Sequence, residues 1–316
     1  MVDVFKIQIK IFSVLIALVI LSTSSANAQL LWKISGNECK ESYLFGTHHF
    51  IPSEKAQEIR GLDEAFNKCS LVVGEISMDE LSDPIKAAYM SQAMLAPQDS
   101  LLNTVLTAKA IEQILQLNKE YPNPQVPLDA ILNYLTPTGV TLMLTANITM
   151  NVMKKIFPED SSPIGIDFIF QQKAKENNKT VKGLETIAFQ TDLLYKSSSI
   201  SKSADELNKN IDCITKHIAI QLKEVETLTL NYLNQNLQKM VEQAHSTDNP
   251  CTLMQMQAED WDKMVNNRNQ NWIPILKELM QRESTFIAVG ALHLPGEKGI
   301  IELLQKEGYL VEPITL

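Results

Sequence analysis

Two stretches of this 316-residue chain, near its opposite ends, read alike: Gly46-Thr-His-His49-Phe-Ile-Pro52-Ser-Glu-Lys55 and Gly290-Ala-Leu-His293-Leu-Pro295-Gly-Glu-Lys298. Each follows a short apolar run, residues 43–45 and 286–289, that reads as a buried strand. Each then leads through a helical pattern to another strand, residues 71–76 in one case and 309–312 in the other, and each of these carries an acid, Glu75 or Glu312. One Gly-x-x-His is a common chance match. Two at strand ends, with a shared Pro and a Glu-Lys tail, indicate a degenerate internal duplication. A strand–helix–strand unit over 43–76 requires its two strands to be parallel.

The sequence between the repeats is helical. Residues 101–117, 137–156, 165–176 and 204–264 carry apolar positions at helical spacing, interrupted by prolines and by the turn at 247–250. Residues 138–153 are apolar, but Asn147 and Asn151 interrupt them, which favours a core helix over a membrane span. Residues 181–185 read as a short strand. The expected fold is α/β (mixed α+β): a small central mixed sheet built from two related β-GxxH-α-β units, with a large helical insert at about 80–265, all within one domain over 29–316.

Composition excludes several classes. With 45% hydrophobic and 21% charged residues, the chain is neither disordered, collagen-like nor a coiled coil. Its net charge of −9, without a basic cluster, argues against a nucleic-acid partner. Lys6 and Lys10, an apolar run from Ile11 to Leu21 and the small residues of Ala26-Asn27-Ala28 read as a signal peptide over 1–28. The run is short of the roughly 20 residues of a membrane-spanning helix, so no stable membrane anchor is expected after cleavage. The mature chain would be periplasmic or secreted, with 26 basic and 36 acidic residues.

Export makes disulfides the natural reading of Cys39, Cys69, Cys213 and Cys251, none of which forms a CxxC. The strands that follow Cys39 and Cys69 are read as parallel neighbours joined by the crossover, so both cysteines lie at the same, N-terminal edge of the sheet, opposite the proposed site. A Cys39–Cys69 pair would then close a loop of about 30 residues, worth roughly 3 kcal/mol. Cys213–Cys251 would staple the helical insert.

In open α/β sheets, ligands lie beyond the carboxyl ends of parallel strands. His49 and His293 leave their strands there, beside Glu75. Two imidazoles and a carboxylate are a common ligand set for Zn, Mn or Co, leaving positions open for water. Gly46 and Gly290 permit sharp turns and close ligand approach. A lone histidine at a strand end is more often a structural hydrogen-bonding group; the pairing shifts the balance. His48 points the other way along the strand and is read as supporting or structural. His217 and His245, on polar helical stretches, read as surface residues. Asp167 opens a helix, where an acid is favourable in any case. Glu185 follows a short strand and could instead cap the next helix. Arg268 could hold a carboxylate or oxyanion, or form a surface ion pair.

Through Tyr43-Leu-Phe-Gly-Thr-His-His49, Val72-Val-Gly-Glu75, Gly165-Ile-Asp167, Gly183-Leu-Glu-Thr186, Arg268-Asn269 and Val289-Gly-Ala-Leu-His-Leu-Pro-Gly296, the chain resembles the TraB/GumN family. That family includes TIKI-type secreted metalloproteases, and the chain is more distantly similar to erythromycin esterase and ChaN-like proteins. The resemblance implies a divalent-metal-dependent hydrolase with His49, Glu75 and His293 as ligands. Arg268 matches the family's helix arginine. His48 departs from the pattern, since an apolar residue is usual there, as does Gly74, where a bulkier residue is frequent. Glu75 or Asp167 would serve as general base, and the substrate would be a peptide or another amide or ester. The alternative is a non-catalytic protein that binds a ligand such as haem in the same cleft.

Overall fold

The structure is a computed structural model that describes residues 29–123, 128–158, 166–251 and 258–314. The proposed signal segment lies outside the described residues. Among the described residues, six strands form one sheet: β1 (Leu31–Ser35), β2 (Ser42–Thr47), β3 (Leu71–Gly74), β4 (Thr180–Gly183), β5 (Thr285–Gly290) and β6 (Leu310–Pro313), in the order β4-β3-β5-β2-β1-β6. β4, β3, β5 and β2 run parallel, and β1 is antiparallel to both β2 and β6. The mixed α/β class expected from the sequence is therefore what forms.

The helices of seven or more residues are α1 (Leu62–Lys68), α2 (Pro84–Ala93), α3 (Ala108–Glu120), α4 (Pro137–Ile156), α5 (Ile166–Glu176), α6 (Ile187–Tyr195), α7 (Ile200–Lys216), α8 (Ile218–Leu233), α9 (Leu237–Ala244), α10 (Asn267–Arg282) and α11 (Ile300–Lys306). Spacing explains their burial. On α7, Ala204, Leu207, Ile211 and Ile214 recur every three or four residues and are all buried. They meet Ile114 and Leu117 of α3 and Val140, Leu144 and Ile148 of α4 in a helical core. Asn147 is buried in α4, and its amide bonds to Asn118 at 3.3 Å. A polar group inside a core helix needs such a partner. Among the described residues no helix is long and apolar enough to cross a membrane.

A second core packs on the sheet. Register places Phe45 and Phe286 on one sheet face, where they pack with Phe66 of α1 and Phe170 of α5. The ring centroids of Phe170 and Phe286 are 4.9 Å apart, within the range of favourable aromatic pairs. α10 adds Trp272, Leu276 and Met280 to this core.

The structure differs from expectation in three places. The helix expected from Ser53 onward is a 3-10 turn (Ser53–Glu58) followed by α1. The break falls where Gly61 takes a φ of 77°, a left-handed conformation that glycine adopts without penalty. The insert expected as helical is divided where the short strand read at 181–185 forms as β4, at Thr180–Gly183, and joins the sheet beside β3. Most consequentially, β5 lies between β2 and β3. Strands flanking a third are roughly 9.5 Å apart, beyond the ~6.8 Å that a disulfide spans between Cα atoms. Cys39 and Cys69 are accordingly free thiols, and the expected Cys39–Cys69 bridge does not form. Cys213 and Cys251 are bonded, with Cα atoms 5.7 Å apart, and join α7 to the segment after α9.

The same placement separates the repeats' two acids. β6 docks on β1 at the far edge, so Glu312 pairs with Lys33 while Glu75 stays at the carboxyl end of β3.

Candidate functional site

The two Gly-x-x-His segments meet because β2 and β5 are paired, with Gly46 opposite Val289 and Thr47 opposite Gly290. A Cβ on Gly46 would lie 3.0 Å from the Ala291 backbone. Only glycine lets the two strand ends approach this closely. Glu75 emerges just after β3, and its backbone carbonyl accepts N–H bonds from Leu184 and Glu185, which tie the end of β4 to it.

Four charged or ionisable side chains cluster there. Arg268, near the start of α10, follows a single π-helical turn (Asp262–Asn266), a distortion frequent at functional sites. Its Nη2 donates to Glu75 Oε2 at 2.5 Å and to Glu185 Oε1 at 2.5 Å, and its Nε reaches both oxygens of Glu185 at 3.1 and 3.2 Å. Nη1 donates to the Met264 carbonyl at 3.0 Å and lies 3.2 Å from His293 Nε2. Glu75 Oε1 accepts the Gly290 N–H at 2.9 Å, and Oε2 also accepts from Gln190 at 3.1 Å. His293 Nε2 is 3.8 Å from Glu75 Oε1.

Trp272, one turn beyond Arg268, holds the assembly together. Its indole N–H donates to Glu185 Oε2 at 3.1 Å, and its ring centroid lies 4.6 Å from that of His293 with the planes tilted by 40°. The guanidinium lies 4.8 Å from the indole centroid, close enough for attraction between the cation and the ring face. Glu185 therefore anchors Arg268, while capping of α6 falls to Thr186, whose hydroxyl accepts the Phe189 N–H. Asp167 falls in the first turn of α5; its side chain lies outside the described residues.

His49 is exposed, and its charge acts on Glu75, His293 and His48. His48 is held differently. Its Nδ1 accepts the Phe50 N–H at 3.2 Å and its ring meets Tyr232 at 5.3 Å, while Tyr232 donates to the Gly46 carbonyl at 2.9 Å. His48 thus braces the loop after β2, in keeping with a structural role. His217 and His245 are both exposed, as expected; the His245 ring lies 4.3 Å from Trp261.

Burial opposes ionisation of Glu75, but the positive groups around it, His293, Arg268 and His49, and the Gly290 N–H together bring its pKa down to about 2. Burial also lowers His293 to about 4, with Arg268 and His49 acting in the same direction, and lowers His48 to about 3. Burial disfavours the charged guanidinium of Arg268, yet Glu75 and Glu185 raise its pKa. At neutral pH Glu75 is therefore ionised, His48 and His293 are neutral, and Arg268 is a fixed cation.

The donor types suit a divalent ion, subject to one condition. Nε2 of a neutral imidazole has a single lone pair, and Arg268 Nη1 already faces it. That contact must open before His293 could ligate. Among the described residues, no group of three or more His, Cys, Asp or Glu side chains is already arranged to hold a metal. The structure brings together Glu75, Glu185, Arg268 and His293, all singled out in the sequence, and adds Gln190, Asn269, Trp272 and Tyr232, to which the sequence assigned no role. Trp272 could have been found as the aromatic four residues beyond Arg268 on one helix face. No local signal marks Gln190 or Tyr232.

Comparison with known proteins supplies a family. The chain is 20% identical over 313 residues to metalloprotease TIKI2 of Danio rerio, covering 86% of this chain and 58% of the relative. It is 21% identical over 330 residues to metalloprotease TIKI1 of Homo sapiens, covering 89% of this chain and 61% of the relative. The chain thus spans about three fifths of the length of these curated relatives. No solved structure matches it significantly. The family model for TraB/PrgY/gumN matches residues 30–313, and the chain belongs to the TraB/PrgY/gumN family.

Proposed function

We propose that this chain is an exported hydrolase of peptide, amide or ester bonds, working with a divalent ion, Mn, Co or Zn, held by His49, Glu75 and His293. The observation that carries this reading is the burial of Glu75, Arg268 and His293 against one another at the carboxyl ends of β3 and β5. The printed names of the relatives, both metalloproteases, support the choice of chemistry. The disulfide between Cys213 and Cys251 supports export to an oxidising compartment.

When bound, the ion would polarise the scissile carbonyl and lower the pKa of a water. The protein's own groups do the rest. Glu75 stays ionised far below neutral pH, so it is available as a ligand; the same low pKa makes it a weak proton acceptor, a role for which Asp167 is the other candidate. Arg268 is a permanent cation held by Glu185 and against Trp272; with its N–H groups engaged by Glu75, Glu185, Met264 and His293, it would act on negative charge at a substrate oxygen through its field. His49 is exposed, and its charge acts on Glu75 and His293.

The test is cleavage of a mixed quenched-fluorescent peptide set with Mn, Co or Zn supplied separately. Activity should need one of these ions, stop with chelator, and fall at least about 100-fold in both His49→Ala and His293→Ala. Cleavage that survives chelator and both substitutions would exclude the reading.

A further inference from the structure

We infer that Asn269 is a positioning residue that fixes the tautomer of His293, placing the proton on Nδ1 and leaving Nε2 as a bare lone pair facing Arg268 and Glu75. Asn269 is fully buried next to Arg268 on α10. Its Nδ2 donates to two main-chain carbonyls, of His293 at 3.1 Å and of Lys298 at 2.9 Å. Carbonyl oxygens only accept, so these two contacts decide which end of the amide is which. Oδ1 is thereby turned to His293 Nδ1, 2.6 Å away. An amide oxygen cannot donate, so Nδ1 must carry the hydrogen.

The opposite edge of the ring gives the same answer independently. Arg268 Nη1 lies 3.2 Å from Nε2. A guanidinium nitrogen donates and has no acceptor capacity. The contact is a hydrogen bond only if Nε2 is unprotonated. Trp272 packs against the imidazole with the ring planes tilted by 40°, which restricts how far the ring can turn away from these two contacts. A hydrogen-bond partner on the remote ring nitrogen is how a protein chooses which nitrogen acts. Asn269 also joins the second Gly-x-x-His to the turn at Lys298, so the clamp sets loop position and proton position together.

The functional part of this inference rests on the hydrolase reading, in which His293 needs a free Nε2 as ligand or base; the tautomer does not. The experiment is two-dimensional 15N NMR of metal-free protein with 15N-labelled histidine at pH 7.5, with the His293 signals assigned by their loss in His293→Gln. Wild type should show His293 protonated at Nδ1. Because Arg268 still opposes a proton on Nε2, Asn269→Leu should raise the Nε2-protonated share only in part, and Asn269→Asp, which keeps an acceptor at that position, should retain Nδ1–H. An Nε2-protonated wild type overturns the inference, whatever the variants do. An unchanged tautomer in a folded Asn269→Leu also overturns it. Under the hydrolase reading, Asn269→Leu lowers kcat about 10- to 100-fold with KM little changed, and Asn269→Asp recovers part of the loss. The expected tautomers without any hydrolysis in wild type would uphold the role of Asn269 and count against the hydrolase.

Discussion

Arg268 and His293 meet nitrogen to nitrogen, with Nη1 of the guanidinium 3.2 Å from Nε2 of the imidazole. One lone pair is thus claimed by a cation that the protein itself supplies, at the position where a metal ion would coordinate. The guanidinium is also the counter-charge that Glu75 and Glu185 share, which makes it both support and competitor for the site.

Replacing Arg268 separates these two roles. In Arg268→Gln the carboxylates lose their buried partner, and folding stability in the absence of metal should drop by about 3–5 kcal/mol. Divalent-ion affinity should rise about tenfold or more, because a charge-assisted hydrogen bond no longer has to be broken at His293. Calorimetric titration with Zn or Mn, read beside a urea melt, checks both. Unchanged or weaker metal binding would show that the guanidinium does not compete.

The buried imidazoles make the metal-free protein sensitive to mild acid. His48 and His293 have folded pKa values of about 3 and about 4, against 6.5 for the ordinary group. Below pH 6.5 the unfolded chain takes up protons that the folded chain refuses, so stability should fall from there to about pH 4. His293 alone contributes a loss of roughly 3 kcal/mol. Glu75 acts lower on the scale: with its pKa near 2, its stabilisation is present above 4.5 and is lost as pH falls through 2. Urea unfolding at pH 7.0, 5.5 and 4.5 reads the slope, and a flat stability between pH 7 and 5 would contradict the assignment of neutral buried histidines.

Thiol chemistry tests the topology. Alkylation of denatured, unreduced protein should label Cys39 and Cys69 and leave Cys213 and Cys251 as a disulfide. That bridge closes a sequence separation of 38 residues. Breaking it should cost up to about 4 kcal/mol on the chain-entropy model. A Cys39–Cys69 linkage would require β2 and β3 to be neighbours and would overturn the observed strand order.

That strand order marks the limit of what the sequence discloses. β2, β3, β5 and β6 are all legible as short apolar runs, and α4 is legible within its capping Thr136 and Pro137. The insertion of β5 between β2 and β3 joins segments from opposite ends of the chain, and no local pattern encodes which strand pairs with which. The site divides in the same way. Glu75, Glu185, Arg268 and His293 stand out as chemistry at strand ends or in a motif. Gln190 and Asn269 are ordinary polar residues on helices until packing aims them at a carboxylate and an imidazole.

Metal content decides the central claim most directly. Elemental analysis of purified protein, after incubation with micromolar Mn, Co or Zn and removal of excess, should find one divalent ion per chain in wild type and substantially none in His49→Ala or His293→Ala. A wild type that holds no metal and gains none, or one that keeps its ion in both variants, would contradict the account.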